Sequence, residues 1–226
     1  MTTRRRFIKT ALGLGLAATL PMRAWAESAE TPQALVDRAR ISLEEMLAHP
    51  DYSALKKGIR NAHGVLIFPQ VIKGGFFLGG SGGSGVLLVK NAKGDWSLPA
   101  FYTMGSVSFG LQFGGEAAEV VMLANSSKAV DSLYASSLKL GGDASVAAGP
   151  VGAGGKGSIT ADFVSYAKSK GAFVGMSLEG SVLDVRDSLN SAYYGKPLTP
   201  IEIVRDGKAA NAGADALRAA LRKATK

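Results

Sequence analysis

The amino-acid sequence predicts an α+β fold: a strongly curved, glycine-rich, mainly antiparallel and barrel-like β-sheet packed with N-terminal, central and C-terminal helices. Helical periodicity occurs at the start, middle and end of the 226-residue chain, whereas most strand-like segments are consecutive and joined by short turns. That order favours an antiparallel sheet over alternating strand–helix units. The 29 glycines suit the bends of such a sheet.

The first 26 residues have the order of features of a twin-arginine signal peptide. Paired arginines within residues 3–9 precede an apolar run at residues 11–20, and Ala24 and Ala26, on either side of Trp25, form a small-x-small cleavage site. The apolar run is about half as long as a membrane-spanning helix, which disfavours a permanent anchor. We therefore expect export by the twin-arginine route, cleavage between Ala26 and Glu27, and a periplasmic location that allows peripheral contact with the membrane.

Removal of this segment changes the charge balance of the chain. The net charge is +8, from 26 basic and 18 acidic residues. Five basic residues and no acidic ones lie in the first 26, so the remaining chain has 21 against 18, or +3. The high basicity is therefore weak evidence for nucleic acid, and no nucleic-acid partner is expected.

Cysteine is absent, which excludes disulfides and thiolate metal sites. The two histidines and the scattered carboxylates have no metal-ligand spacing, so neither a metal nor a cofactor is expected. About 200 residues remain after cleavage, enough for one good core or two small ones. We expect a flexible segment at residues 27–33 and a single domain over residues 34–226.

Two helices are predicted at the start of this domain. Thr31 and Pro32 are typical of an N-cap and a first helical residue, and apolar residues follow at helical spacing up to Leu47. A second, short helix is predicted over residues 52–61. Its apolar side carries Leu55 and Ile59, and its other side carries three basic residues: Lys56, Lys57 and Arg60.

Between residues 64 and 125 the hydrophobic period changes to that of β-strands. Short β-branched and aromatic runs alternate with glycines, and residues 91–95 are typical of a tight loop. Strands are predicted at residues 65–68, 76–78, 86–89, 106–113 and 119–123.

The second half of the chain mixes both periods. A central helix is predicted from Ser126 to Leu138, and a further helical turn at residues 187–194. Strands are expected at residues 144–148, 159–167 and 173–185. A basic C-terminal helix over residues 214–226 places Leu217 and Leu221 opposite its charged residues: Arg218, Arg222, Lys223 and Lys226.

Glycine-rich motifs in the chain match enzyme signatures only in their letters. Residues 80–85 fit the dinucleotide fingerprint and residues 79–83 fit G-x-S-x-G, but both motifs require a following helix, and a strand follows here. A bent glycine-rich hairpin is therefore expected at residues 80–85. His49 and His63 both precede the serine, contrary to the hydrolase order. Residues 149–157 miss the first glycine and the hydroxyl residue of a P-loop. No catalytic residues are assigned, and an enzyme is not expected.

Ordered blocks across residues 35–205 resemble one known family. They are AHGVLIFP at 62–69, KGGF at 73–76, GGSGV at 82–86, WSLPA at 96–100, AGPVG at 148–152, YAKSKG at 166–171, GMSLEGS at 175–181 and YYG at 193–195. With these blocks the chain resembles the SYLF domain family, also described as Ysc84-like actin- and lipid-binding proteins.

The resemblance implies a non-enzymatic domain. Eukaryotic members bind phosphoinositide-rich membranes through basic and amphipathic N-terminal elements, and some bind actin. An exported protein meets neither actin nor phosphoinositides, so no actin partner is expected here. Affinity for anionic phospholipid carries over, and the resemblance therefore predicts a periplasmic phospholipid-binding protein that associates peripherally with anionic membranes.

The candidate lipid-binding residues are basic residues of the second helix and a mixed basic and aromatic group near residue 75. The C-terminal helix would supply a second contact. An ordinary solvated helix face and core phenylalanines are the alternative interpretation of these residues. The alternative function is an envelope assembly or oligomerisation module that docks through a glycine-rich sheet edge or through the amphipathic helix at residues 35–47. The candidates are Lys56, Lys57, Arg60, Lys73, Phe76 and Phe77.

Overall fold

A computed structural model describes residues 31–75, 78–109, 116–150, 160–169, 172–173 and 178–225. Its α-helices are α1 (Pro32–Ala48), α2 (Ser53–Asn61), α3 (Ser127–Ser132), α4 (Asp187–Tyr194), α5 (Pro200–Val204) and α6 (Asp215–Thr225). Its strands are β1 (Gly64–Gly75), β2 (Leu78–Val89), β3 (Ala100–Phe109), β4 (Glu116–Ala124), β5 (Ser137–Lys139), β6 (Val146–Ala148), β7 (Phe163–Ser169), β8 (Ala172–Phe173) and β9 (Val182–Val185).

These strands form one sheet that curls into a half-barrel. The strand order is β5-β9-β3-β2-β1-β4-β7-β6, with β8 paired to β7. All pairs are antiparallel except β6 with β7. A bridge between Leu140 and Ala144 links the segments that follow β5 and precede β6, the two ends of the order. The predicted fold class is confirmed.

Along the first half of β1 both faces of the sheet are buried. Val65 and Ile67 pack with α1, α2 and α6, whereas Leu66 and Phe68 pack with α3 and α5 on the opposite face. All four side chains are fully buried. Because successive strand residues point to opposite faces, an apolar run without alternation is the pattern of a strand covered on both sides.

The glycine-rich segment Gly80 to Gly85 lies entirely within the continuous strand β2, so the expected hairpin bend between two short strands is wrong: pairing with β1 and β3 keeps this segment extended. Opposite it, β1 contains a bulge at residues 68–71. A Cβ added to Gly85 would lie 2.6 Å from the Ile67 carbonyl oxygen and against the Phe68 ring, and one added to Gly83 would meet the Gln70 carbonyl. Glycine at these two positions therefore allows β2 to cross the bulge.

Two other predicted elements differ from the structure. The central helix begins with Ser126 as its N-cap but ends at Ser132, and Leu138 lies in β5 opposite Leu183. The pairing of β5 with β9 and the burial of Leu138 outweigh local helical periodicity. The predicted strand at 173–185 is interrupted at Gly180, whose φ of 81° turns the backbone before β9.

Helix α5 was not predicted, and it begins with a capping box. Thr199 accepts a hydrogen bond from the Glu202 backbone N–H, and the Glu202 carboxylate accepts bonds from the Thr199 N–H and Lys208 ammonium, each 2.9 Å long. These hydrogen bonds lower the pKa of Glu202 to about 2, and the bond from the Thr199 N–H contributes most.

The lowered pKa predicts a pH dependence for the start of α5. Because the folded protein holds this carboxyl ionised, the stabilisation is present above the ordinary pKa of 4.5 and is lost as pH falls through about 2. An NMR titration of the Glu202 side chain should give a midpoint near 2, and Lys208→Met should raise it. A midpoint between 4 and 5 in the unsubstituted protein would contradict the capping geometry.

Candidate functional site

Helix α2 presents the three predicted basic residues on one exposed side. Leu55 and Ile59 on its other side are fully buried, in the cluster shared with α1 and α6. The side chains of Lys56, Lys57 and Arg60 are therefore directed outward and are exposed. Among the described residues, none of the three forms an ion pair with a carboxylate.

The C-terminal end of α2 is held by Lys90, a residue that sequence reasoning missed. Its ammonium donates to the carbonyls of Arg60 and Ile59 at 2.8 and 3.1 Å and lies 4.9 Å from the centre of the Trp96 ring. A cation is favoured at a helix C-terminus, where carbonyl groups lack partners. Burial lowers the pKa of Lys90. No local pattern signals this contact, because the residues are 30 positions apart.

A shallow groove of about 460 Å³ lies between α2, α1 and α6. Lys56, Lys223 and Glu44 line it, with apolar surface from Leu47, Ala220 and Ala224. The Glu44 carboxylate is paired with Arg40 at 2.6 Å. Lys223 is exposed, so the C-terminal helix extends the basic surface of α2 at this point.

Two other basic residues of α6 are held in place. Arg222 donates to the Asp95 carboxylate at 2.6 Å, and Arg218 donates to the Trp96 carbonyl at 2.9 Å. The hydrogen bond from Arg222 is the main cause of a lowered pKa for Asp95. These contacts fasten α6 to the β2–β3 connection, which leaves Lys223 as its contribution to the basic surface. Lys226 lies outside the described residues.

The remaining predicted candidates lie away from α2 or outside the described residues. Lys73 is half-buried in β1, paired with Ser81 and Glu116 on the neighbouring strands. Tyr52, which directly precedes α2, marks where this helix meets the sheet: its hydroxyl donates to the carbonyl of Ala167, which lies across β4 from Phe68 of β1. Lys73 lies five residues beyond Phe68 in β1, which is about 15 Å away at the rise of a strand. Phe76, Phe77, Ala26 and Glu27 lie outside the described residues.

The described residues contain no cluster of three or more histidines, cysteines, aspartates or glutamates that could hold a metal ion. The tyrosines with the largest upward pKa shifts are Tyr102 and Tyr194, and burial is the main cause. Each donates a 2.6 Å hydrogen bond to a backbone carbonyl, of Leu133 and Pro99 respectively, so both are structural. No helix in the described ranges is long and apolar enough to cross a bilayer.

Comparison with known proteins identifies a family. Residues 105–224, just over half of the chain, match the Ysc84 family, described as "Las17-binding protein actin regulator". The matched segment starts within β3 and extends into α6, so it excludes α2.

Curated relatives include an SH3 domain-containing protein of Schizosaccharomyces pombe, 39% identical over 166 residues (70% of this chain, 38% of that protein). The human SH3 domain-containing YSC84-like protein 1 is 34% identical over 151 residues (65% and 44%), and protein YSC84 of Saccharomyces cerevisiae is 36% identical over 149 (62% and 31%). The chain thus spans less than half the length of these relatives. The family match over more than half of the chain, together with the 39% identical relative, shows that this chain belongs to the Ysc84 family.

Proposed function

We propose that this protein is a non-enzymatic phospholipid-binding protein that associates peripherally with anionic membranes from the periplasmic side. The observation that carries the proposal is the exposed side of α2, where Lys56, Lys57 and Arg60 extend from a helix anchored by its buried apolar side. Lys223 enlarges this surface across the groove to α6.

The magnitude of the attraction supports weak, salt-sensitive binding. Each basic residue near an anionic surface contributes about 1 kcal/mol, so the α2 residues supply about 3 kcal/mol and Lys223 brings the sum to about 4. This corresponds to a factor of about 10²–10³ in the binding constant. Apolar insertion would raise the affinity further, and we assign it to Phe76 and Phe77, with Lys73 beside them, in the connection from β1 to β2.

Flotation with lipid vesicles tests the proposal directly. The protein should float with phosphatidylglycerol vesicles at low salt, remain behind with phosphatidylcholine vesicles, and be released at 1 M NaCl, where the screening length is about 3 Å. Failure to float with anionic vesicles at low salt would overturn the proposal.

Export is a separate part of the proposal and has its own test. The twin-arginine pattern and the small residues before position 27 predict a periplasmic protein whose first residue is Glu27. Mass spectrometry of the protein from a bacterial periplasmic fraction should give the mass of residues 27–226. Replacing Arg4 and Arg5 by lysine should leave the uncleaved chain in the cytoplasm. Cleaved periplasmic protein from that variant would exclude the twin-arginine route.

The assembly module remains the second candidate function. Ile41 of α1 and Ile72 of β1 have exposed fractions of 45% and 55%, high for large apolar side chains. Sedimentation without lipid distinguishes the candidates. A stable oligomer that does not float with vesicles would favour assembly over lipid binding.

A further inference from the structure

A second cleft, separate from the groove beside α6, lies at the end of the sheet where β1 begins. His63 precedes β1 and is hydrogen-bonded through its backbone to Ala124 and Lys90, at the ends of β4 and β2. Two adjoining cavities, of about 440 and 340 Å³, meet here. Both volumes lie in the usual range of about 300–1,000 Å³ for small-molecule sites. Their shared lining residues are His63, Lys90, Asn91, Ala92 and Ser127.

One half of this cleft is suited to an anion. Its lining includes Arg60 and Lys90 and contains no carboxylate. The hydroxyl of Ser127 lies 3.3 Å from Nδ1 of His63, so both groups face the same space. The Lys90 ammonium is half-buried and has no carboxylate partner among the residues described. A bound anion would compensate this cation and would release the burial penalty that lowers its pKa.

The other half is suited to an apolar group. Val89, Val130, Tyr134 and Val204 contribute apolar surface there. The charged residues of this half are Asp131 and Arg205, and Arg205 is already bonded to Asp206 at 3.1 Å while lying 5.9 Å from the centre of the Tyr134 ring. The Asp131 carboxylate repels an anion from this half. An anionic group and an apolar group would therefore occupy opposite halves.

We propose that this cleft binds one phospholipid molecule, with the phosphate between Lys90, His63 and Ser127 and the glycerol and first acyl carbons beside Val130 and Tyr134. The proposal rests on the proposed lipid-binding function and deepens it, because it adds a site for a single headgroup to a surface that attracts the bilayer. Arg60 lines the cleft and also belongs to the exposed side of α2, so the two sites are contiguous.

Dihexanoyl phosphatidylglycerol, used below its micelle concentration, tests the cleft without a membrane. NMR titration of residues 27–226 should show saturable one-to-one binding, with the largest shifts at His63, Ser127 and Tyr134. Inorganic phosphate and glycerophosphate should bind at least tenfold more weakly, because they leave the apolar half empty. Inorganic phosphate binding as tightly as the lipid would overturn the assignment to a phospholipid.

Two variants place a carboxylate in the anionic half at exposed positions. Ser127→Glu and Ala92→Glu should each weaken binding of the short-chain lipid at least tenfold, and neither should unfold the protein. Ala34→Glu adds the same charge in the exposed first turn of α1, outside the cleft, and should leave the affinity unchanged. Unchanged binding by both cleft variants would overturn the proposal.

Vesicle flotation, combined with the short-chain titration, distinguishes an error in the proposed headgroup cleft from an error in the proposed membrane-binding function. Flotation of the unsubstituted protein without short-chain shifts in the cleft would overturn the headgroup site and leave the membrane-binding surface standing. Short-chain binding in the cleft without flotation would support the site and overturn peripheral membrane association.

Discussion

Replacing Lys56, Lys57 and Arg60 together by glutamate is expected to abolish binding to anionic vesicles. The substitution removes three attractive interactions of about 1 kcal/mol each and introduces three repulsive ones, which exceeds the whole electrostatic contribution of this surface. Flotation with phosphatidylglycerol vesicles at low salt should fall to the level seen with phosphatidylcholine. Because the three side chains are exposed and unpaired among the described residues, the melting temperature should remain within about 2 °C.

A matched variant distinguishes the effect of this local surface on vesicle binding from the effect of the net charge of the protein. Lys93, Lys139 and Lys196 are exposed and lie outside α2 and α6, and replacing all three by glutamate changes the net charge by the same amount. This control should still float with anionic vesicles, with a modest loss. Equal losses in both triple variants would show that binding follows net charge, and full binding by the α2 variant would remove α2 from the site.

Gly85→Ala is expected to destabilise the fold by about 2–3 kcal/mol, because overpacking a tight contact usually costs about 1–3 kcal/mol and here the obstacle includes backbone. The new methyl group would lie 2.6 Å from the Ile67 carbonyl oxygen and against the Phe68 ring. Neither can move freely, since Ile67 is paired on both sides, with β2 and β4, and Phe68 lies at the start of the bulge of β1. Chemical unfolding should give the free energy, and a chain of this size should melt about 5–10 °C lower.

Gly82→Ala in the same strand is the matched control. Its Cβ would lie 3.6 Å from the Met104 carbonyl oxygen, an ordinary contact, so we expect a change of less than about 0.5 kcal/mol. Similar losses at both positions would mean that strand flexibility, and not the close approach to β1, explains the glycines of β2.

The helices that carry the candidate surface could be predicted because their signals are local. Thr31 and Pro32 act as N-cap and first residue of α1, as the sequence predicts, and α2 buries Leu55 and Ile59 at the predicted spacing. Capping and helical periodicity involve residues within about four positions of one another, and no distant partner is needed to recognise them.

Elements that depend on distant partners could not be predicted in this way. The segment around Leu138 has helical periodicity, yet β9, more than 40 residues later, takes it into the sheet. The anchoring of α2 by Lys90 and of α6 by Asp95 likewise joins residues far apart in sequence. The side chains that form these hydrogen bonds come into contact only when the sheet has folded and curled.

The sequence by itself determined the α+β class, the amphipathic helices, the absence of disulfides and the basic residues of α2, since each follows from composition or short-range spacing. Only the tertiary structure decided that Lys223 joins Lys56 while Arg218 and Arg222 are held elsewhere. It also placed Lys90, His63 and Ser127 around one cleft. The physical reason is that contacts between residues distant in sequence decide which basic side chains are paired and which side chains line a cavity. Those contacts depend on the strand order and register of the folded sheet.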